Sequence, residues 1–166
     1  MPDIFDNIVR LLTAPCQIQK GTRALLHVLK TKKSAIAAMH RPDIGDIDFH
    51  YGKYDYDDGK GHGLKKVVGS AKQKREFYGD NRTSKKLLLQ VPEIIMRGVR
   101  SGGKKDRILL TYKHRRVVLD KMFNGKPSAH WIFHAYDIDP AKRRDSRSIA
   151  HELRKRKGTT RQKPAK

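Results

Sequence analysis

Between Ile44 and Tyr51 apolar and polar residues alternate: Ile47, Phe49 and Tyr51 fall on one side, Asp46, Asp48 and His50 on the other. A period of two predicts a strand with one face on a core and one in water. Beyond an acidic, glycine-rich loop the period changes. Leu64, Val67, Val68 and Ala71 stand at i, i+3, i+4 and i+7, one face of a helix that opens near His62. His62, Lys65 and Lys66 gather at this loop-to-helix junction, where unpaired backbone N–H groups would suit an anion.

The same reading extends to the rest of the chain. Ile4, Ile8, Leu11 and Leu12 predict a helix over 2–13, capped by Asp3 and ended by Pro15. A second helix is expected from Gly21 to Met39, on Leu25, Val28, Leu29, Ala35, Ile36 and Met39, with Pro42 closing it. A turn is expected near Gly79. Pro92 and Glu93 read as a helix start and Gly102-Gly103 as its stop. Three strands follow: Arg107 to Tyr112, Arg116 to Phe123, and Ala129 to Ile138. Lys113, His114 and Arg115 form the first corner. Asn124-Gly125 is the second, a hairpin signal in a loop that Lys126 and Pro127 would lengthen. In the last strand Trp131, Phe133 and Ala135 alternate with His130, Ile132, His134 and Tyr136. One side should pack on helices, and the other should present two imidazoles and a phenol in a row. The expected class is α+β: N-terminal helices packed on a small antiparallel β-sheet whose other face is polar.

Charge alters the picture more than length does. In 166 residues, 38 Lys and Arg face 17 Asp and Glu, a net charge of +21. Such a chain attracts polyanions, nucleic acid first. Residues 141–166 hold 11 basic and 2 acidic residues, a net +9, which leaves +12 for the first 140. The organisation expected is an N-terminal helix over 1–20, a folded domain over 21–140 and a basic extension over 141–166, partly disordered. That extension either strengthens nucleic-acid binding without sequence preference or is simply solvated. Cys16 is the lone cysteine, which excludes an intrachain disulfide and a cysteine zinc cluster. With no apolar run long enough to span a membrane and no secretory signal at the start, the expected location is the cytoplasm.

Most common chemistries lack their motif. Asp46-x-Asp48 is what strand alternation gives, and no His-Glu-x-x-His is present, so no metal or other cofactor is expected. Gly59-x-Gly61-x-Gly63 lacks the lysine and hydroxyl of a phosphate loop. Acid–base chemistry on an RNA phosphate remains, because RNA brings its own 2′-hydroxyl nucleophile. Such a site needs a proton acceptor, a proton donor and cations for the charge on the phosphorane. Histidine titrates near neutrality and suits the first two roles. His134 and His62 are the candidates for proton transfer, Lys66 and Arg116 for the phosphate, and Tyr136 for orienting the substrate. Lys65, Arg115, His130 and His50 are candidates for substrate binding.

The order of these features resembles a family, the phage-associated barnase–EndoU–colicin–RelE-like nucleases. The resemblance rests on four blocks: Arg41 to Gly52, Gly61 to Val68, Val91 to Gly98, and Arg107 to Leu119 followed by His130 to Asp137. It covers about Gly21 to Ile138. It implies helices packed on an antiparallel sheet and a metal-independent ribonuclease, toxin-like or effector-like, acting in a bacterial host cell. RNA, tRNA included, would be the substrate, with a cognate immunity or antitoxin protein as partner. Members usually carry Gly-Leu-x-His-Ile after the glycine pair, where this chain has Lys66. They tend to have threonine where it has His134. A nucleic-acid-binding phage accessory or anti-host protein that keeps the fold without catalysis is the alternative.

Overall fold

The computed structural model describes residues 4–55, 57, 60–69, 88–123 and 125–138. The turn expected near Gly79 and the basic extension 141–166 lie outside them. Helix α1 (Ile4–Thr31) is followed by strands β1 (Ala35–Arg41), β2 (Gly45–Phe49), β3 (Lys53–Tyr54) and β4 (Gly61–His62). Helix α2 occupies 63–69 and α3 is Val91–Arg97. Strands β5 (Val99–Lys104), β6 (Arg107–Tyr112), β7 (Arg115–Phe123) and β8 (Lys126–Ile138) complete the described elements. The main sheet has the order β1-β2-β8-β7-β6-β5, and only its β2–β8 pairing is parallel. The expected α+β class, helices on a mostly antiparallel sheet, is the one observed.

Two expectations about the N-terminal helices are corrected. Pro15 lies inside α1, which runs through the site of the expected break. Proline in a helix interior costs about 3 kcal/mol. Pro15 is exposed, while Ala14, Gly21, Leu25 and Val28 on the packed side are buried, from just before the proline to near the helix end. Packing overrides the local penalty. Gly21 is not a helix start but the crossing point, since a Cβ there would sit 2.4 Å from Met39 Sδ.

Residues 35–39, expected to be the last part of a helix, lie in strand β1 instead. The helix ends at Thr31, where Lys32 takes a left-handed φ of 59° and its N–H reaches the Val28 carbonyl. The basic and polar run Lys30 to Ser34 gives no apolar face to bury, and Met39 then pairs with Ile47 in the β1–β2 hairpin.

Helix α3 starts at its proline as expected, but it stops at Gly98. Gly102 and Gly103 lie within β5, an exposed edge strand. The corner between β6 and β7 places Lys113 and His114 at φ 44° and 64°, the two positive values of a tight primed hairpin turn. Phe123 pairs directly with Lys126, so Lys126 and Pro127 belong to β8 rather than to its loop.

Ile47, Phe49, Ile108, Leu110, Val117, Leu119, Trp131 and Phe133 line the helix side of the sheet and form its core with α1, α2 and α3. The C-terminus of α3 is fixed by a buried cation: Arg41 Nη1 donates to the carbonyls of Ile95 and Gly98 at 2.6 and 2.8 Å, while its Nε and Nη2 reach Asp43. No described helix is long and apolar enough to cross a membrane.

Candidate active site

An irregularity in β8 aims the central histidine. Leu119 pairs with Phe133 and Val118 with Ala135, which leaves His134 as the extra residue of a bulge. Bulges bend a strand and redirect a side chain. His134 Nδ1 lies 3.1 Å from Asp120 Oδ2. Asp120 is 6% exposed, and Arg107 on β6 holds both of its oxygens, with Nε at 2.5 Å and Nη2 at 2.9 Å. A cation, a carboxylate and an imidazole therefore follow one another across three adjacent strands.

The second wall comes from the segment between β2 and α2. Gly52, at φ +75°, and Gly61 let β3 and β4 pair closely, and His62 ends that ribbon beside Gly63. Phe123 occupies the middle. The His50 ring stacks on it with centroids 4.6 Å apart, and His62 meets it edge-on at 5.5 Å. His62, Gly63, Asp120, Phe123, Ile132 and His134 line a pocket of about 140 Å³.

Burial pushes the His134 pKa below the usual histidine value, with Lys66, Arg107 and His62 adding to the effect and Asp120 opposing it. The neutral imidazole is thus favoured, and the carboxylate beside Nδ1 favours the tautomer with its proton there, leaving the Nε2 lone pair free. Burial also lowers the pKa of His50, with His62 in the same direction and Asp48 opposed. His50 is held by Ser34 Oγ at 2.8 Å from Nδ1 and by Asp48 at 3.8 Å from Nε2.

Of the residues singled out in the sequence, His134, His62 and His50 come together around Phe123, and the charge of Lys66 is felt by His134. Tyr136, Arg115, Arg116 and His130 do not join the group around Phe123. Tyr136 was expected in a row with His130 and His134, but the bulge reverses the alternation. Tyr136 pairs with Val117 and packs on the core side, where its hydroxyl accepts from Arg115 at 2.6 Å and donates to Gln90 at 3.4 Å. Arg115 is accordingly on the helix side too. Arg116 shares the open face but bonds Thr111 and stands four residues from Asp120 along β7, about 13 Å at strand rise. His130 sits between two carboxylates, 2.9 Å from Asp48 and 3.8 Å from Asp46. Two of the backbone N–H groups at the α2 start, where an anion was expected, are used internally: Leu64 donates to the His50 carbonyl and Lys65 to that of Tyr51.

Asp120, Arg107 and Phe123 escaped the sequence reading. Asp120 had a signal, an acid on the polar side of an otherwise apolar alternation, Val117, Leu119. Arg107 and Phe123 had none, because their roles depend on cross-strand register. Among the described residues, no group of three or more His, Cys, Asp or Glu side chains converges as metal ligands do.

Residues 38–144 match the family model described as phage-Barnase-EndoU-ColicinE5/D-RelE like nuclease1. The chain belongs to this nuclease family. The matched segment begins inside β1 and takes in every residue of the pocket, so His134, Asp120 and His62 lie within the family domain, whereas the whole of α1 precedes it. No curated protein and no solved structure matches the chain.

Proposed function

We propose that this nuclease is an endoribonuclease that cleaves by attack of the 2′-hydroxyl and needs no metal. The observation that carries the reading is the His134–Asp120 pair opening on a pocket with His62 on its other wall. His134 Nε2 takes the proton of the 2′-hydroxyl as its oxygen bonds to phosphorus, and Asp120 stabilises the imidazolium that forms. His62 gives a proton to the 5′-oxygen as the P–O5′ bond breaks, leaving a 2′,3′-cyclic phosphate and a 5′-hydroxyl. Lys66 supplies positive charge toward the phosphorane. His50 holds Phe123 as a ring against which a base can stack. A toxin-like role in a bacterial cytoplasm, restrained by an immunity protein, accords with the family.

The test is incubation of the purified protein with total RNA in EDTA, with the cut ends mapped. Cyclic-phosphate ends that disappear in His134→Ala support the reading. Intact RNA bound in a salt-dependent manner would instead favour the non-catalytic, nucleic-acid-binding alternative. Cleavage that EDTA abolishes would require a metal and overturn the scheme.

A further inference from the structure

We propose that the first turns of α1 are a self-association surface, by which two copies of this chain pair helix to helix. Ile4, Phe5 and Leu12 are 75%, 74% and 76% exposed, and Ile8, Val9 and Leu11 are exposed with them. At 100° per residue these six side chains fall within an arc of about 160°. That arc points away from the packed side, where Ala14, Gly21 and Leu25 are buried and Arg10 Nη1 donates to the Gly98 carbonyl. Helix α1 is therefore anchored through one face, and its apolar opposite face is uncovered among the described residues. Ile4, Ile8 and Leu11 repeat at the four-then-three spacing of a helix–helix seam.

Charge selects the occupant. Asp3, Asp6 and Arg10 are the charged residues of the first 19, so that segment is −1 (one base less two acids) in a chain of +21. A nucleic acid would find no cationic row there. An anionic membrane would find a single base in that segment, Arg10, and its guanidinium is turned to the Gly98 carbonyl on the packed side rather than flanking the apolar face as in interfacial helices. An uncharged apolar helix is the complement, and a second copy supplies it through the one end that does not add to the repulsion between two basic bodies. Six such side chains present an area on the order of 600 Å², the upper range of patches on a monomer. Two facing patches bury about 1,200 Å², the lower range of specific interfaces.

Sedimentation velocity of the full chain over a concentration series tests this. The wild type should dimerise, more tightly in high salt, where repulsion between the basic bodies is screened. Ile8→Glu/Leu12→Glu should be monomeric with an unchanged circular dichroism spectrum. A spin label on Cys16, the lone cysteine and exposed on the same helix, should give a defined label-to-label distance in the wild type, independently of how the double variant folds. A wild type that stays monomeric at every concentration and gives no such distance overturns the proposal. So does a monomer that binds phosphatidylglycerol vesicles through the same two residues, or a dimer that survives the double substitution.

Discussion

His134 Nδ1 lies 3.1 Å from Asp120 Oδ2, and Arg107 grips the same carboxylate from the neighbouring strand. Asp120 is thereby fixed from two sides, and the imidazole it faces is fixed in turn. Asp120→Asn keeps the shape but removes the charge that would stabilise an imidazolium at His134 in the proposed reaction. The turnover rate on RNA is expected to fall at least tenfold, and by no more than the ~10²–10⁴ that a positioned general base contributes in full. RNA affinity should change little, because Asp120 offers nothing to a phosphate. Single-turnover kinetics beside a binding titration separate the two effects.

The pH dependence has a definite sign. His134 has its pKa below the ordinary histidine value, so the base form persists into mildly acidic solution, and the acid limb of the cleavage profile should fall below about pH 6.5. Asp120 raises that pKa, so Asp120→Asn should move the limb further down. Lys66 lowers it, so Lys66→Ala should move the limb up. Stability follows the same groups. With His134 and His50 both depressed, the unfolded chain takes up protons first. The stability they contribute is fully present above about pH 6.5 and is lost as pH falls through that value toward their folded pKa values. Denaturant midpoints measured on either side of pH 6.5 report it.

The strand alternation of Ile47 and Phe49, and that of Trp131 and Phe133, was legible because burial on one face leaves a period of two in the sequence. The same logic failed at Tyr136, since a bulge costs one residue of register and nothing in the local sequence marks it. It failed again at Ala35 to Met39, where three alanines and a methionine, all good helix formers, outnumber the one β-branched residue, Ile36, and fit a helical spacing equally well. His62 and His134 could be named as proton-transfer candidates by residue type. Their meeting across Phe123 could not, because it depends on how closely Gly52 and Gly63 let the chain approach.

Those glycines give a direct test of how the pocket wall is held. Gly52 has φ +75°, and a Cβ there would lie 2.0 Å from the His62 carbonyl oxygen. The left-handed conformation alone costs about 1–2 kcal/mol in an ordinary residue, and the clash falls on backbone, which cannot rotate away. Gly52→Ala should therefore displace His62, lower the melting temperature and reduce RNA cleavage together. Gly125→Ala, with open space around its Cβ and a similar φ of +76°, controls for strain without a clash.

Arg41 is 1% exposed and serves two helix-terminal carbonyls and a carboxylate at once. Removing one partner of a buried ion pair costs about 3–5 kcal/mol. Arg41→Ala should lose stability of that order in urea titration, a large share of the 5–15 kcal/mol typical of a domain. Arg41→Lys should recover only part, since an ammonium cannot span Asp43 and both carbonyls with the planar fork of a guanidinium.

Tyr136 separates the observed register from the simple alternation. Had β8 continued without a bulge, the phenol would stand beside His134, and losing its hydroxyl would slow cleavage. In the structure it lies on the core side, with Arg115 and Gln90 as its partners. Tyr136→Phe removes these hydrogen bonds and keeps the ring, at a cost of about 1 kcal/mol in stability. Its turnover rate and acid limb should match the wild type, while His134→Gln loses cleavage. A Tyr136→Phe rate reduced as far as that of His134→Gln would place the phenol in the reaction and contradict the register of β7 and β8.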